Sequence, residues 1–229
     1  VGGARLIIEG VLAEGRTQLS ELESKAILMA FGVPVVETVE ATTASQALVV
    51  AESIGFPLVM KINSPDITHK TDVNGVRLNI QTAGAIRTTF NELIADVKAK
   101  RPDATITGVT LQSMVNHPNG RETMIGVVRD PVFGPALSFG AGGTTVEVMH
   151  DSFVSLPPLN RFIAGQTIER TRINRLLGAF RNMPPVNREA LENVLLRVSE
   201  LVCELPHVVE MDINPLIVDE HGAVAVDAR

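Results

Sequence analysis

The sequence contains no tryptophan, no tyrosine and only one cysteine among its 229 residues. Without tryptophan or tyrosine, stacking on single-stranded nucleic acid would depend on phenylalanine or arginine side chains. The formal net charge of −6 also argues against a nucleic-acid surface. The single cysteine, Cys203, excludes an intrachain disulfide, and its apolar helical surroundings predict a small core residue. We therefore expect neither a nucleic-acid partner nor a disulfide framework.

Long apolar runs are absent as well. No run reaches the roughly 18 residues that a membrane-spanning helix needs, and the first residues lack the basic stretch of a secretory signal. The composition, with 45% hydrophobic and 20% charged residues, is typical of a globular protein. These features predict a cytoplasmic protein without a membrane partner, and they leave self-association open. Because the sequence begins with valine, we expect residues 1–18 to be a helical lead-in from a longer protein.

The first half of the sequence alternates helical and strand patterns, which is typical of α/β proteins. The helix in LSELESKAILMAFGVP begins with a capping box, because Ser20 is followed three residues later by Glu23. Further helices are predicted in TTASQALVVAESIGFP and TAGAIRTTFNELIADVKAKRP, and strands in VPVVETV, PLVMKIN and VRLNI.

The second half changes to strands in close succession, which predicts an antiparallel sheet. The predicted strands are ITGVTLQSMV, RETMIGVVRD, PALSFG and TTVEVMH, and helices near QTIERTRINRLLGAF and NREALENVLLRVSELVCEL follow them. The change falls near residues 112–116. We therefore expect a first subdomain at residues 19–113, a second at 114–229, and a ligand cleft between them.

The last twenty residues, EMDINPLIVDEHGAVAVDAR, predict an antiparallel hairpin that turns at residues 219–222. If the turn is symmetric, the numbers of paired residues have a constant sum, so Asn214 faces Asp227. Asp212 shares their face because side chains alternate along a strand. The opposite face is then a core face, formed by Ile213, Ala228, Val226 and Val224.

The polar face of this hairpin has two interpretations. A carboxamide and carboxylates offer the oxygen ligands that suit Mg²⁺, which proteins hold with one or two side chains plus substrate phosphates. The alternative is an ordinary solvent-facing side of a half-buried hairpin. The pattern alone leaves both open.

Lys61 and the loop after it form a second group of candidates. Lys61 lies in an apolar strand, where it contacts either an anion such as a nucleotide phosphate or solvent at the strand end. The loop that follows contains His69 and Lys70, and its Asn74-Gly75 pair tolerates a left-handed backbone. The loop could thus direct N–H groups and Lys70 at a phosphate. His69 is either a phosphoryl acceptor or an exposed loop histidine.

A glycine-rich link, SFGAGGTTVE, follows the predicted strand PALSFG. Gly140, Gly142 and Gly143 allow the backbone to approach a ligand closely, although a tight hairpin would also use them. Glu122 opens the strand RETMIGVVRD and is a further candidate for a ligand-facing residue.

These stretches, taken in order, resemble one family. SELESKAILMAFGVPVV, PLVMKINSPDITHKTDVNGV, GRETMIGVVRDPVFGPALSFGAGGTTVEV and MDINPLIVDEHGAVAVDAR are similar to the ATP-grasp, β-subunit-like part of the NDP-forming acyl-CoA synthetases. The resemblance runs from about Leu19 to Arg229. It implies an α/β (α+β) ATP-grasp fold of two subdomains with a nucleotide cleft, and an ADP-forming acid–CoA ligase that uses ATP and Mg²⁺.

The resemblance also implies roles for individual residues. It makes His69 a phosphoryl carrier and Asp212 an acidic residue near phosphoryl transfer, and it makes Asn214 and Asp227 the Mg²⁺ ligands. The remaining ATP-binding residues, with Lys70 added from its loop, are Lys61, Lys70, Gln112, Met114, Val115, Glu122, Gly142 and Gly143.

The family's principal phosphohistidine and CoA site lie on a separate CoA-binding domain or α subunit, which is therefore an expected partner. FVSLPPLN and VNGV resemble a subgroup fused to a GNAT-type protein lysine acetyltransferase. This subgroup supports an alternative, in which the chain is a non-catalytic, nucleotide-binding regulatory module beside an acetyltransferase domain. A third alternative is another ATP-grasp carboxylate ligase. Asn74 departs from the family by replacing the first glycine of a Gly-Gly pair.

Overall fold

The computed structural model describes residues 1–114, 116–143 and 146–229. Its elements, in chain order, are α1 (Gly2–Ala13), α2 (Glu21–Ala30), β1 (Thr38–Ala41), α3 (Ala44–Ile54), β2 (Leu58–Asn63), a 3₁₀ helix (Lys70–Val73), β3 (Val76–Ile80), α4 (Gly84–Lys100), β4 (Gly108–Ser113), β5 (Arg121–Asp130), β6 (Gly134–Ala141), α5 (Val146–Met149), β7 (Ser152–Ser155), α6 (Arg161–Glu169), α7 (Asn174–Leu177), α8 (Arg188–Glu204), β8 (Glu210–Val218) and β9 (Ala223–Ala225). In these described ranges, no helix combines the length and apolar character needed to cross a membrane.

The chain divides into two compact units. One comprises Val36–Asn116, and the other combines Val1–Val35 with His117–Arg229. This division differs from the one expected from the sequence, because residues 19–35 join the later unit. The reason is packing at long sequence separation: Ile27, Leu28 and Phe31 belong to the same apolar core as β5, β6 and α8.

The smaller unit is an antiparallel sheet in the order β1-β4-β2-β3, covered by α3 and α4. Helix α4 presents apolar residues at helical spacing to the sheet: Ile86, Phe90, Leu93 and Val97. Alternate residues of β2 and β4 complete this core: Leu58, Met60, Ile62, Val109 and Leu111. The residues between them in sequence therefore lie on the opposite face of the sheet.

The larger unit is an antiparallel sheet in the order β7-β6-β5-β8-β9. One face carries Ile125, Val127, Leu137, Phe139 and Ile213, which pack in one core with the apolar stripe of α8. The other face carries the even-numbered residues of β5 and β6. The predicted strands RETMIGVVRD and VRLNI match β5 and β3, and the capping box at Ser20 is present.

Three predictions of local structure were wrong. TTVEVMH was predicted as a strand, but Val146–Met149 is a short helix that His150 closes by donating its N–H to Val146 O; Thr144 and Thr145 lie outside the described residues. QTIERTRINRLLGAF is not one helix, because the buried carboxylate of Asp151 accepts the N–H groups of Arg172 and Ile173 and separates α6 from α7. Cys203 is exposed rather than in the core.

Candidate functional site

The terminal hairpin has the register that its sequence predicts. Leu216 pairs with Ala225 and Val218 with Ala223, and an isolated bridge joins Ile213 to Ala228. Each of these pairs has the same sum of residue numbers. The N–H of Asn214 donates to the carbonyl oxygen of Asp227 at 3.1 Å. Asn214 and Asp227 are therefore opposed across the hairpin.

Asp219 shapes the turn. Its Oδ1 accepts the backbone N–H groups of His221 and Gly222 at 2.9 and 3.1 Å, and its Oδ2 lies 2.8 Å from Nδ1 of His117. Burial opposes ionisation of this carboxyl, but the contacts with His117 and the two backbone groups outweigh burial and lower the pKa of Asp219. The turn is thus held by a charged side chain, and not only by the freedom of Gly222.

The predicted core face of the hairpin holds for only part of its length. Ile213 and Ala228 are buried as expected, but Ala223 and Ala225 are buried in place of Val224 and Val226. The cause is a bulge in β8, where Asn214 and Pro215 together stand opposite the single residue Met124 of β5. The extra residue inverts the alternation of faces beyond it.

A hydrogen bond connects Gly143, in the glycine-rich segment after β6, to the side chain of Asn214. The N–H of Gly143 donates to Oδ1 of Asn214 at 2.8 Å, with Gly143 in the left-handed region at φ +65°. A Cβ atom at position 143 would lie 1.6 Å from Oε2 of Glu122, so the carboxylate of Glu122 rests directly against this glycine. The contact brings together three predicted site residues from β5, the β6 turn and β8.

The other two glycines of this link lie against the chain's own backbone, as the tight-hairpin alternative requires, and their predicted approach to a ligand stays a prediction. A Cβ at Gly142 would lie 2.1 Å from the carbonyl oxygen of Thr123, and one at Gly140 would lie 1.7 Å from that of Asp151. The N–H of Gly142 donates to the carbonyl oxygen of Glu122 at 2.9 Å. No larger residue fits either position without moving the backbone.

Asp212 lies two residues before Asn214 on β8, on the face opposite to the buried Ile213. Burial raises the pKa of Asp212, and the neighbouring Arg229 partly offsets this effect. The distance from Arg229 Nε to Asp212 Oδ2 is 3.6 Å, which makes a loose ion pair. Sequence reasoning missed Arg229, although the rule that pairs Asn214 with Asp227 also pairs Asp212 with Arg229.

The donor chemistry of this face fits magnesium. Asn214 and Asp227 offer hard oxygen ligands, and the amide oxygen of Asn214 has a second lone pair besides the one that Gly143 engages. Across the described part of the chain, no cluster of three or more His, Cys, Asp or Glu residues could enclose a metal. A cation held by two protein oxygens together with phosphates suits such a site, whereas an all-protein cage does not.

The smaller unit places Lys61 and Gln112 on one face of its sheet, opposite to its helices. Lys61 pairs with Thr110 of β4, and Gln112 pairs with Val59 of β2. The exposed fractions of Lys61 and Gln112 are only 7% and 3%. Met114 is exposed and donates its N–H to Pro57 O at 3.0 Å, whereas Val115 lies outside the described residues.

The loop with His69 differs from its prediction in one respect. His69 is exposed and precedes the 3₁₀ helix, and Lys70 is half-buried. Asn74 adopts the predicted left-handed conformation at φ +57°. The N–H groups of Asn74 and Gly75, however, donate to the carbonyl oxygens of Thr71 and Lys70, because the turn closes on itself. These two groups therefore do not point at an anion as the sequence suggested.

The chain is similar in sequence to a known protein family and to a characterised subunit. A family model described as an ATP-grasp domain matches residues 10–229. The chain is 41% identical over 229 residues to the β subunit of acetate–CoA ligase [ADP-forming] I from Pyrococcus furiosus, covering 100% of this chain and 97% of that protein.

Two solved structures of acetyl-coenzyme A synthetase 1 from Ca. Korarchaeum cryptofilum are similar to this chain. One, in complex with coenzyme A, Ca-AMPCP and HgCl⁺, has a TM-score of 0.94 at 36% identity and covers 98% of this chain and 97% of its own. The other contains coenzyme A and Mg-AMPPCP, with its phosphohistidine segment pointing towards the nucleotide-binding site. It has a TM-score of 0.86 at 33% identity, with coverage of 99% and 98%. These matches give no support to the acetyltransferase-fused alternative.

Proposed function

The chain belongs to the ATP-grasp family, and we propose that it is the nucleotide-binding part of an ADP-forming acyl-CoA synthetase. In this function it binds MgATP and passes the γ-phosphoryl group, through a phosphohistidine, towards an acyl phosphate and then a CoA thioester. The observation that carries the proposal is the contact of Gly143 with both Asn214 and Glu122, beside the opposed pair Asn214 and Asp227.

We propose a task for each predicted residue, with Val115 assigned from the sequence alone because it lies outside the described residues. Asn214 and Asp227 would hold Mg²⁺, and the bound cation would supply positive charge to the nucleotide phosphates. Gly143 fixes the orientation of the Asn214 amide, and the small glycines let the backbone approach the phosphates. Lys61 contributes positive charge to the phosphates, and Gln112, Met114 and Val115 contact the adenine. Glu122 and Lys70 complete the nucleotide contacts.

The proposed reaction balances as three transfers. A histidine nitrogen attacks the γ-phosphorus, the bond to the β-phosphate oxygen breaks, and ADP leaves. A carboxylate then takes the phosphoryl group from the histidine, and the CoA thiolate displaces phosphate from the resulting acyl phosphate. The names of the relatives suggest acetate as the carboxylate. Asp212 lies two residues before Asn214 on β8, and we propose that it contacts the histidine during phosphoryl transfer.

The proposed partner is an α subunit or domain that carries the CoA site and the principal phosphohistidine. Relatives named as β subunits support this assignment. We further propose His69 as a second carrier, because it is an exposed residue at the start of the 3₁₀ helix.

Labelling with γ-³²P-ATP tests the phosphoryl transfer. We expect an acid-labile, base-stable label on the chain that is lost in His69→Gln and retained in His221→Gln, which replaces an exposed histidine of the hairpin turn. A label that survives in His69→Gln would exclude His69 as the carrier. If neither the chain nor its partner is labelled when the two are mixed with MgATP, the proposed reaction itself is contradicted.

A further inference from the structure

Arg229 occupies a defined position next to Asn214 and Asp227, the two proposed magnesium ligands, which we call the metal pair. The N–H of Asp212 donates to Arg229 O at 2.9 Å, and the N–H of Arg229 donates to Asp212 O at 3.0 Å. This reciprocal exchange makes the two residues a directly opposed pair, whose side chains share one face. The next pair on that face is Asn214 with Asp227, about 6.5 Å along the strands.

The predicted site residues on this face carry excess negative charge, which a cation besides the metal would offset. The predicted site residues of this unit include three carboxylates, from Glu122, Asp212 and Asp227, and no basic side chain. A nucleoside triphosphate adds further negative charge to the same face. The guanidinium of Arg229 stands at the edge of this acidic group, with a side chain 47% exposed and its Nε 3.6 Å from Asp212 Oδ2.

We propose that Arg229 is a phosphate-binding residue of the nucleotide site, with the β- or γ-phosphate as its ligand. The inference rests on the proposed function. The backbone pairing with Asp212 places Arg229 one pair along the strands from Asn214 and Asp227, on the face where nucleotide phosphates would bind if these two residues held Mg²⁺. The planar fork of arginine suits bidentate contact with phosphate oxygens.

Isothermal titration of MgATP, MgADP and AMP into four chains tests the proposal. The chains are the wild type, Arg229→Gln, Arg229→Lys and Arg5→Gln. Arg5 is a matched control in the same unit, because it is exposed and forms a similar ion pair with Glu204 at 3.4 Å. We expect Arg229→Gln to weaken MgATP binding about 10- to 100-fold, the usual range for a hydrogen bond to a charged group.

The pattern across ligands separates a phosphate contact from a structural role. Because AMP lacks the β- and γ-phosphates, its affinity should change less than about twofold in Arg229→Gln. Arg229→Lys keeps the charge but not the fork, so its loss should be intermediate. The proposal is overturned if Arg229→Gln binds MgATP as Arg5→Gln does, or if AMP and MgATP lose affinity equally. A wild-type chain that does not bind MgATP would instead refute the proposed function.

Discussion

Alanine at position 143 is expected to weaken MgATP binding about 30- to 1,000-fold, which corresponds to about 2–4 kcal/mol. The new Cβ would lie 1.6 Å from Glu122 Oε2, so either the carboxylate or the turn must move. Movement of the turn breaks the hydrogen bond from Gly143 to Asn214 and releases a predicted metal ligand. The left-handed φ of +65° adds backbone strain of about 1–3 kcal/mol.

Gly134→Ala is the matched control for this prediction. Gly134 is also left-handed, at φ +77°, but a Cβ there would have no neighbour within 4 Å. It should therefore lower the thermal midpoint through strain alone and leave nucleotide affinity unchanged. If calorimetry finds the same affinity loss in both variants, the contact between Gly143 and Glu122 does not organise the site.

Methionine in place of Arg121 is expected to destabilise the larger unit by about 3–5 kcal/mol. The buried guanidinium donates to four backbone carbonyl oxygens at 2.7–2.9 Å, those of Asn119, Leu176, Gly178 and Pro184. Methionine preserves most of the apolar stem but leaves these four acceptors without their donor. Urea denaturation followed by circular dichroism measures the loss.

Arg170→Met is the control for that measurement. Arg170 is exposed and stacks on Phe153 at 5.6 Å, so its replacement should cost only about 0.5–1 kcal/mol. Equal unfolding midpoints in the two variants would show that Arg121 does not hold the loop that leads into α8.

The hairpin shows how much of the site could be predicted from the sequence. A short turn fixes the pairing of both strands, so the opposition of Asn214 and Asp227 follows from residue numbers alone. The inversion of faces beyond Pro215 does not follow, because it arises from pairing with β5, about ninety residues earlier in the sequence. The local sequence pattern therefore predicts that Asn214 and Asp227 are opposed. Which side chains are buried after Pro215 depends on the pairing of β8 with β5.

Other differences have equally specific causes. The break between α6 and α7 depends on the carboxylate of Asp151, whose position no helical pattern reveals. The exposure of Cys203 was readable, because the buried stripe of α8 passes through Leu201 and Val202 and leaves the next residue outside it. The sequence indicated that the glycines allow a close approach. It did not indicate which groups they contact, and the fold shows that these are Glu122, Thr123 and Asp151.

The face of the hairpin that carries Asn214 and Asp227 is expected to bind magnesium together with the nucleotide. Isothermal titration of ATP with Mg²⁺ into the wild type, Asp227→Ala and Asp103→Ala tests it most directly, with an exposed aspartate of the smaller unit as control. We expect micromolar affinity, about −8 kcal/mol, for the wild type and Asp103→Ala, and a loss of about 100-fold or more in Asp227→Ala or with EDTA. If Asp227→Ala keeps the wild-type affinity and its dependence on magnesium, Asp227 is not a magnesium ligand and the hairpin face is not the metal site.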